Sequence, residues 1–355
     1  MHLPVIHIVR RFGRVGGMES YVWHLAHGLA EYGMQVAVVC EEVCEAPDRR
    51  IHLLTVEASP ERPRWKSMLI FRARVDKKIQ EVFSGQLALI HSHERSICHQ
   101  VTTFHGPPIE PPRGLGWLSG FNKRFTAWQQ MEQDELLGTN VQIVLPVSSL
   151  VESQLMSRYP QLINKKLDLA WPGVHPLGID RIVPVPTRGL DCARFLFVGR
   201  EWKRKGLDIA VGIVAEFRKS NPNTTLTVFG PNQVMVPRSI RRLKWVILQG
   251  WSSSISWGDF DLLIHPARQE PFGMVVAEAR RHGLAALISP EVGAGSLDFF
   301  NTKIIDLSAS AEDWCQAATE LVESNLRKPE IKWSWSDLVL KHVENIYPQL
   351  KAVSL

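Results

Sequence analysis

Over the first half of the chain, short runs that are apolar throughout alternate with longer stretches whose apolar positions recur every three or four residues. PVIHIVR (4–10) leads through a glycine turn, GRVGG, into Tyr21, Leu25, Leu29 and Tyr32 at helical spacing, and QVAVVC (35–40) then resumes an unbroken apolar run. IHLLTV, a helical stretch over about 65–83, LALIHSH, VTTFHG, a long helix over about 115–137 and VQIVLPVS continue the pattern. Strands that are apolar on both faces need cover on both faces, which predicts a parallel sheet wrapped by helices.

The pattern dissolves between Trp171 and Leu190 into PGVHPLGIDRIVPVPTRG, with Pro and Gly every few residues. A second alternation follows: ARFLFVG, a helix over about 205–219, TTLTVFG, KWVILQG, DFDLLIHP, the stretch RQEPFGMVVAEARRHG, LAALIS and a helix over about 309–324. The expected organisation is an N-terminal domain over 1–172, a linker over 173–190, a second domain over 191–330 and a C-terminal helical segment over 331–355 that has the option of returning to the first domain. Two doubly wound, Rossmann-like α/β domains facing a cleft carry their ligands at the C-terminal ends of the strands.

Composition narrows the class. At 355 residues with 45% apolar and 22% charged positions, the chain suits two soluble domains. No run reaches the roughly 18 apolar residues of a membrane span, and MHLPVIHIVRRFG lacks the layout of a signal peptide. Five scattered cysteines without a CxxC pair argue against a disulfide framework or zinc knuckle, so a reducing cytoplasm is expected. A net charge of +5 points to an anionic partner: nucleic acid, an acidic membrane surface or a phosphorylated substrate. Several of the 12 tryptophans stand beside Lys or Arg, a pattern shared by membrane-interface segments and single-strand nucleic-acid platforms.

The strand ends hold the candidate chemistry. GREWKRKG (199–206) puts Arg200, Lys203, Arg204 and Lys205 in a loop that opens a helix, a cradle for pyrophosphate; a solvated basic loop is the structural alternative. GGMES offers Gly16 and Gly17 at a helix start, suited to phosphate or sugar oxygens. It is not a dinucleotide fingerprint, because Gly13, Gly16 and Gly17 fail G-x-G-x-x-G, although Glu41 and Glu42 follow the next strand. TFHG sets His105 at a strand end, where an imidazole can donate to a sugar hydroxyl or phosphate oxygen. In HSHERSICHQ, His91 and His93 share a strand face with Cys98 and His99 behind them, but the spacing matches no common zinc pattern and no metal is assigned. Asp259 and Asp261 of GDFD mark a strand entrance rather than a metal clamp. Glu270 and Glu278 lie on either side of a helix start. A dipole-favouring carboxylate and a solvated helix face would explain them without any function.

Taken together, GGMES, TFHG, the GR and RKG of GREWKRKG, and HPARQEPFGMVVAEA resemble the retaining glycosyltransferases of family 4, built on the two-domain GT-B fold, over nearly the whole chain. The resemblance implies a hexosyltransferase using a nucleotide diphosphate sugar, with UDP-sugars favoured, and no metal or other cofactor. By the same resemblance Glu270 hydrogen-bonds hydroxyls of the donor sugar and Glu278 holds the ribose. Phe272, Gly273 and Met274 offer backbone NH groups, and Arg200 and Lys205, assisted by Arg204, neutralise the leaving diphosphate. His105 and Gly17 meet the donor sugar from the first domain. No catalytic base is identified; in this family a phosphate oxygen of the leaving group is thought to serve.

Two departures bear on base specificity. Only SSSISWG separates QGW (249–251) from DFDLLIHP, where the family has a helix-bearing segment, and Asp298 stands where the family often has Glu. The insert PPRGLGWLSGFNKRFTAWQQMEQ is similar to the lipopolysaccharide core glucosyltransferase I group and implies a glycan or lipid-linked acceptor in cell-surface polysaccharide assembly. Its Trp117, Phe121, Phe125 and Trp128 mix with Lys123 and Arg124, so residues 113–131 either lie on an anionic membrane at the inner face of the cytoplasmic membrane or form an ordinary core-facing helix. A nicotinamide-dependent oxidoreductase, a noncatalytic sugar-nucleotide binder and a nucleic-acid binder are the competing classes. The last lacks any RNP, helix-turn-helix or zinc pattern, so no nucleic-acid partner is expected.

Overall fold

The computed structural model describes residues 3–111, 122–176, 189–252, 254–324 and 327–354. The chain forms two compact units, Met1–Gly173 with Trp335–Leu355, and Val174–Ser334.

In the first unit the strands are β1 (Val5–Ile8), β2 (Arg11–Phe12), β3 (Val36–Cys40), β4 (Glu42–Val43), β5 (Ile51–Thr55), β6 (Leu87–Ser92), β7 (Val101–Phe104), β8 (Ile143–Pro146) and β9 (Lys166–Leu167). Its helices are α1 (Gly17–Glu31), α2 (Arg64–Phe83), α3 (Lys123–Leu137) and α4 (Ser149–Arg158). The main sheet runs β5-β3-β1-β6-β7-β8-β9, while β2 and β4 form a small ladder of their own. All pairs along this path are parallel. One face is apolar: Ile6, Ile8, Ala37, Val39 and Ile90 pack beneath Phe71, Val75 and Ile79 of α2. Because successive side chains alternate across a strand, the opposite face carries His7, which pairs in register with His91 of β6. The sheet therefore adds His7 to the face that His91 and His93 share.

The second unit comprises β10 (Arg194–Val198), α5 (Leu207–Phe217), β11 (Thr225–Phe229), α6 (Arg238–Arg241), β12 (Val246–Gly250), β13 (Leu262–His265), α7 (Met274–Arg281), β14 (Ala285–Ile288), β15 (Thr302–Ile304) and α8 (Ala311–Ser324). Its sheet order is β12-β11-β10-β13-β14-β15. Phe195, Phe197, Leu207, Ile213, Phe217 and Trp314 form the centre of its core. Both sheets therefore reverse their winding direction beside the first strand, between β1 and β6 and between β10 and β13. Crevices at such reversals are where open α/β sheets bind ligands.

Several expected boundaries move. The long helix starts at Lys123, capped by Asn122, whose Oδ1 accepts from the Arg124 and Phe125 NH groups at 3.1 and 3.2 Å; Trp117 and Phe121 lie outside the described residues. The expected linker does not begin as a free segment, because the Val174 NH donates to the Trp333 carbonyl at 3.2 Å and ties the chain into the second unit. The C-terminal segment divides at Ser334 and Trp335 rather than acting as one piece. It is also not one helix: α9 (Trp335–Lys341) passes into a wider turn over His342–Ile346 and a tight one over Tyr347–Gln349, where Pro348 cannot extend helical hydrogen bonding. Trp335 stacks on His24 of α1 at 4.5 Å, and β16 (Val353–Ser354) pairs antiparallel with the start of β6. No helix among the described residues is long and apolar enough to cross a membrane.

Candidate functional site

In the second unit the site begins where β10 ends. The chain leaves Val198 through Gly199, carries its cations through 200–205 and enters α5 at Gly206. Gly206 sits at φ +78, and a Cβ there would run into the Pro266 carbonyl, so only glycine lets this loop lie against the end of β13. Arg200 and Lys203 are exposed and, among the described residues, make no ion pair. They line a cavity of about 990 Å³ together with Trp202, Asn232, Gln233 and Trp251. Arg268 at its rim is engaged elsewhere, gripping Asp208 with bonds of 2.9 and 2.7 Å.

The loop after β13 brings Glu270 against Arg204, which lines that cavity, and Lys205, which does not. Its backbone is fixed in parallel with the segment after β14: Glu270 NH donates to Glu291 O at 2.9 Å and Gly293 NH to Glu270 O at 3.0 Å. Its carboxylate pairs with the Lys205 ammonium, while Arg204 and His265 Nε2 each lie 3.6 Å from Oε2. Burial pushes this carboxyl up, but the facing His265 ring and the Lys205 charge outweigh it and bring it down to about 2. Glu270 is thus ionised at neutral pH, and Lys205, expected as a free diphosphate cation, shares its charge with it. Arg204 is held too, by Glu201 at 2.6 Å and by the Gln269 carbonyl.

Gly273, at φ +94, turns the chain into α7, and a Cβ would meet Val292 and Glu270. Helix α7 begins at Met274, so its first NH groups have no intrahelical acceptor and stand next to the Glu270–Lys205 pair. Glu278 is half-buried on α7. Burial pushes its carboxyl up to about 7, with Arg281 and Lys205 pulling the other way. Glu278 therefore does not stand on a fully solvated face.

The first unit differs. Gly16 is the extended N-cap of α1, and a Cβ there would strike the Glu19 carboxylate, which Arg11 holds at 2.6 Å. A side-chain carboxylate therefore stands where an incoming anion was expected, whereas Gly17 has open space beside it. His105, just past β7, is half-buried, with the Tyr21 ring edge-on at 4.9 Å. Burial lowers its pKa to about 3, so it is neutral. Its Nε2 lies 3.2 Å from His93 Nδ1, and His93 Nε2 lies 3.1 Å from His7 Nδ1. His7, His91 and His93 bring ring nitrogens within 4.8 Å of one another, a grouping that no sequence spacing signalled. His91 and His93 stack at 4.2 Å and 29°, so their in-plane lone pairs run side by side rather than converging as metal ligation requires. Both nitrogens of His91 are already engaged, by Tyr347 OH at 3.0 Å and Thr103 Oγ1 at 2.8 Å. His99 is not part of that grouping and is bound to Ser96 and the Glu135 carbonyl. Asp261 accepts from the Arg194 NH and from Arg327, which makes it a structural clamp.

The Glycosyltransferase Family 4 model matches residues 15–176, and the Glycosyl transferases group 1 model matches residues 192–324. The chain belongs to glycosyltransferase family 4. It is a retaining glycosyltransferase that uses nucleotide-sugar donors, which sets aside the oxidoreductase reading. Glycogen synthase of Mycobacterium tuberculosis (strain CDC 1551 / Oshkosh) is 24% identical over 328 residues, covering 79% of this chain and 76% of the relative. In fold the chain resembles WaaG, a glycosyltransferase involved in lipopolysaccharide biosynthesis (TM-score 0.71, 17% identity, 97% and 96% of the two chains covered). It also resembles Anabaena HepE in complex with UDP and glucose (TM-score 0.65, 14% identity, 98% and 100% covered). These likenesses establish the GT-B fold with its two Rossmann-like domains.

For this family 4 enzyme, the residues missed from sequence are His7 and His265 and the cavity wall formed by Asn232, Gln233 and Trp251, while His93 was weighed only as a metal ligand. His265 was legible as the last residue of an apolar strand before proline, but nothing in one sequence shows that it faces Glu270. The wall residues come from the ends of β11 and β12 and meet only because those strands are neighbours.

Proposed function

We propose that the enzyme transfers a hexose from a UDP-sugar, with retention, to a glycan or lipid-linked acceptor in lipopolysaccharide core or related cell-surface polysaccharide assembly. The observation that carries this reading is the set of unpaired cations, Arg200 and Lys203, opening on a cavity large enough for a nucleotide beside the Lys205–Glu270 pair and the start of α7. The diphosphate lies against Arg200 and Lys205, with Arg204 assisting. The NH groups of Phe272, Gly273 and Met274 face donor oxygens, Glu270 receives sugar hydroxyls and Glu278 the ribose. In the first unit, His105 offers an imidazole and Gly17 open backbone to sugar oxygens. Charge neutralisation by these side chains makes a metal unnecessary, so turnover persists with chelator present. HepE, similar in fold, holds UDP and glucose in its structure, which favours uracil as the base.

A thermal-shift panel of UDP, GDP, ADP and dTDP, followed by turnover with UDP-hexoses and glycan acceptors, tests the reading. UDP should raise the melting midpoint most, because a ligand bound only by the native state stabilises it. No shift with any nucleotide, or turnover abolished by chelator, overturns it.

Among the described residues of 113–131, the membrane part of the proposal rests on Lys123 and Arg124, both exposed at the start of α3. Phe125 is buried and Trp128 packs against the first unit's core, so these two rings serve the fold.

A further inference from the structure

Three histidines in the first unit form a chain of hydrogen bonds that starts at His105 and runs inward. His105 Nε2 meets His93 Nδ1 at 3.2 Å, and His93 Nε2 meets His7 Nδ1 at 3.1 Å. The chain ends at His7 Nε2, which is buried and has no hydrogen-bond partner. His7 and His93 are fully or almost fully buried. Burial lowers the pKa values of all three imidazoles, so each is neutral and carries one proton.

With one proton per ring and one proton needed per hydrogen bond, only two arrangements are self-consistent. In the inward arrangement every ring is protonated on Nε2, which leaves a buried N–H at His7 pointing at nothing. In the outward arrangement every ring is protonated on Nδ1: His7 donates to His93, His93 donates to His105, and His7 Nε2 is a bare lone pair. An orphaned buried N–H is the rarer and costlier fault. The nearby acceptor that could relieve it is His342 Nε2, whose ring is fixed by an Nδ1 bond to the Leu338 carbonyl at 2.8 Å. That nitrogen is itself without a partner, so it does not receive a proton from His7.

We infer that His93, backed by His7, is a positioning residue that holds His105 with its proton on Nδ1, making it a hydrogen-bond donor to a substrate oxygen and not a base. The substrate half of this inference rests on the donor reading above; the tautomer half does not. The two buried rings touch no substrate and act through His105 alone. His91, stacked on His93 and held at both nitrogens by Tyr347 and Thr103, keeps the middle ring from turning out of the chain.

The test is a long-range nitrogen–proton NMR spectrum of the full chain labelled with 15N-histidine, recorded near neutral pH without ligand. The His105 signals are assigned by their loss in His105→Gln. Nδ1 of His105 should show the protonated shift and Nε2 the unprotonated one; the reverse pattern overturns the inference. His93→Leu removes the ring that donates to His105 Nε2 and should give His105 a mixture of tautomers, with kcat down about tenfold, the rate equivalent of roughly one hydrogen bond, and UDP affinity unchanged. His93→Gln, which can still donate an N–H to His105, should restore both the tautomer and most of the rate. In His7→Leu the chain ends instead at His93 Nε2, so His105 should keep its proton on Nδ1. An unchanged His105 tautomer in a folded His93→Leu, or a changed one in a folded His7→Leu, overturns the inference. If the leucine variants do not fold, the wild-type and His93→Gln spectra decide it. A protein that binds no nucleotide yet shows His105 protonated on Nδ1 removes the donor reading and leaves the tautomer lock intact.

Discussion

The two units share one topology and put opposite chemistry on it. Both sheets reverse direction beside their first strand, and both collect polar groups at that reversal. In the second unit those groups are charged: Arg200, Lys203, Arg204 and Lys205 around an ionised Glu270. In the first they are neutral: a chain of imidazoles whose pKa values burial drives down, beside a helix start already covered by Glu19. Topology thus sets where polar groups collect in each unit, while the side chains decide their chemistry. A charged cradle suits a diphosphate, and neutral donors and acceptors suit sugar hydroxyls, where a full charge would be costly to desolvate.

The comparison breaks most severely at Gly206. Gly206→Ala adds a Cβ against the Pro266 carbonyl at a left-handed backbone position, and should cost about 3 kcal/mol or more, read as a lowered melting midpoint and lost nucleotide binding. A variant as stable as wild type would mean that the loop does not need this geometry.

Lys205→Ala should weaken UDP binding by about 1.5 to 3 kcal/mol, roughly tenfold to a hundredfold or slightly more, by calorimetry. His105→Gln, its counterpart in the first unit, should leave UDP affinity nearly unchanged and lower kcat. Equal effects of the two variants on UDP affinity would erase the distinction between a charged and a neutral half.

Acid should act on the charged half through Glu270. Its folded pKa of about 2 lies below the unfolded 4.5, so its stabilisation is complete above pH 4.5 and disappears as pH falls towards 2. The contribution is on the order of 3 kcal/mol. Urea titrations across this range should show Glu270→Gln losing less stability with acid than wild type does.

Glu278 shifts the other way. Its folded pKa is raised to about 7, so its contribution is full below the unfolded 4.5 and declines as pH rises through 7. Ribose hydroxyls donating to the ionised carboxylate should release a fraction of a proton when nucleotide binds at neutral pH. Calorimetry in buffers of different ionisation enthalpy should detect that release in wild type and find none in Glu278→Gln.

The smallest expected effect concerns the membrane. Lys123→Glu with Arg124→Glu should reduce sedimentation with anionic vesicles, at about 1 kcal/mol per cation removed, and the binding should weaken with salt. Equal sedimentation would remove these residues from any membrane role.

The alternation of apolar runs with helical periodicity was enough to predict two doubly wound domains, because burial on both faces leaves a strand few alternatives. GREWKRKG, TFHG and the stretch around Glu270 were legible because each follows a strand end, where the fold class predicts a site. Local sequence could not show that Lys205 closes on Glu270 across 65 positions, that Glu19 covers Gly16, or that Phe125 and Trp128 turn inward. Helical period says nothing about which sheet a helix packs on, so the sequence left the return of the C-terminal segment to the first domain as an option, and Trp335–Leu355 group with that unit. His7 reads as one polar interruption in an apolar strand, and only its register beside His91 and the inward turn of His93 make it the end of a hydrogen-bond chain. Periodicity is set by neighbours a few residues apart and is therefore written in the sequence. The charge state of Glu278, the partner of Lys205 and the tautomer of His105 depend on burial and on groups brought from distant strands, so only the tertiary structure decides them.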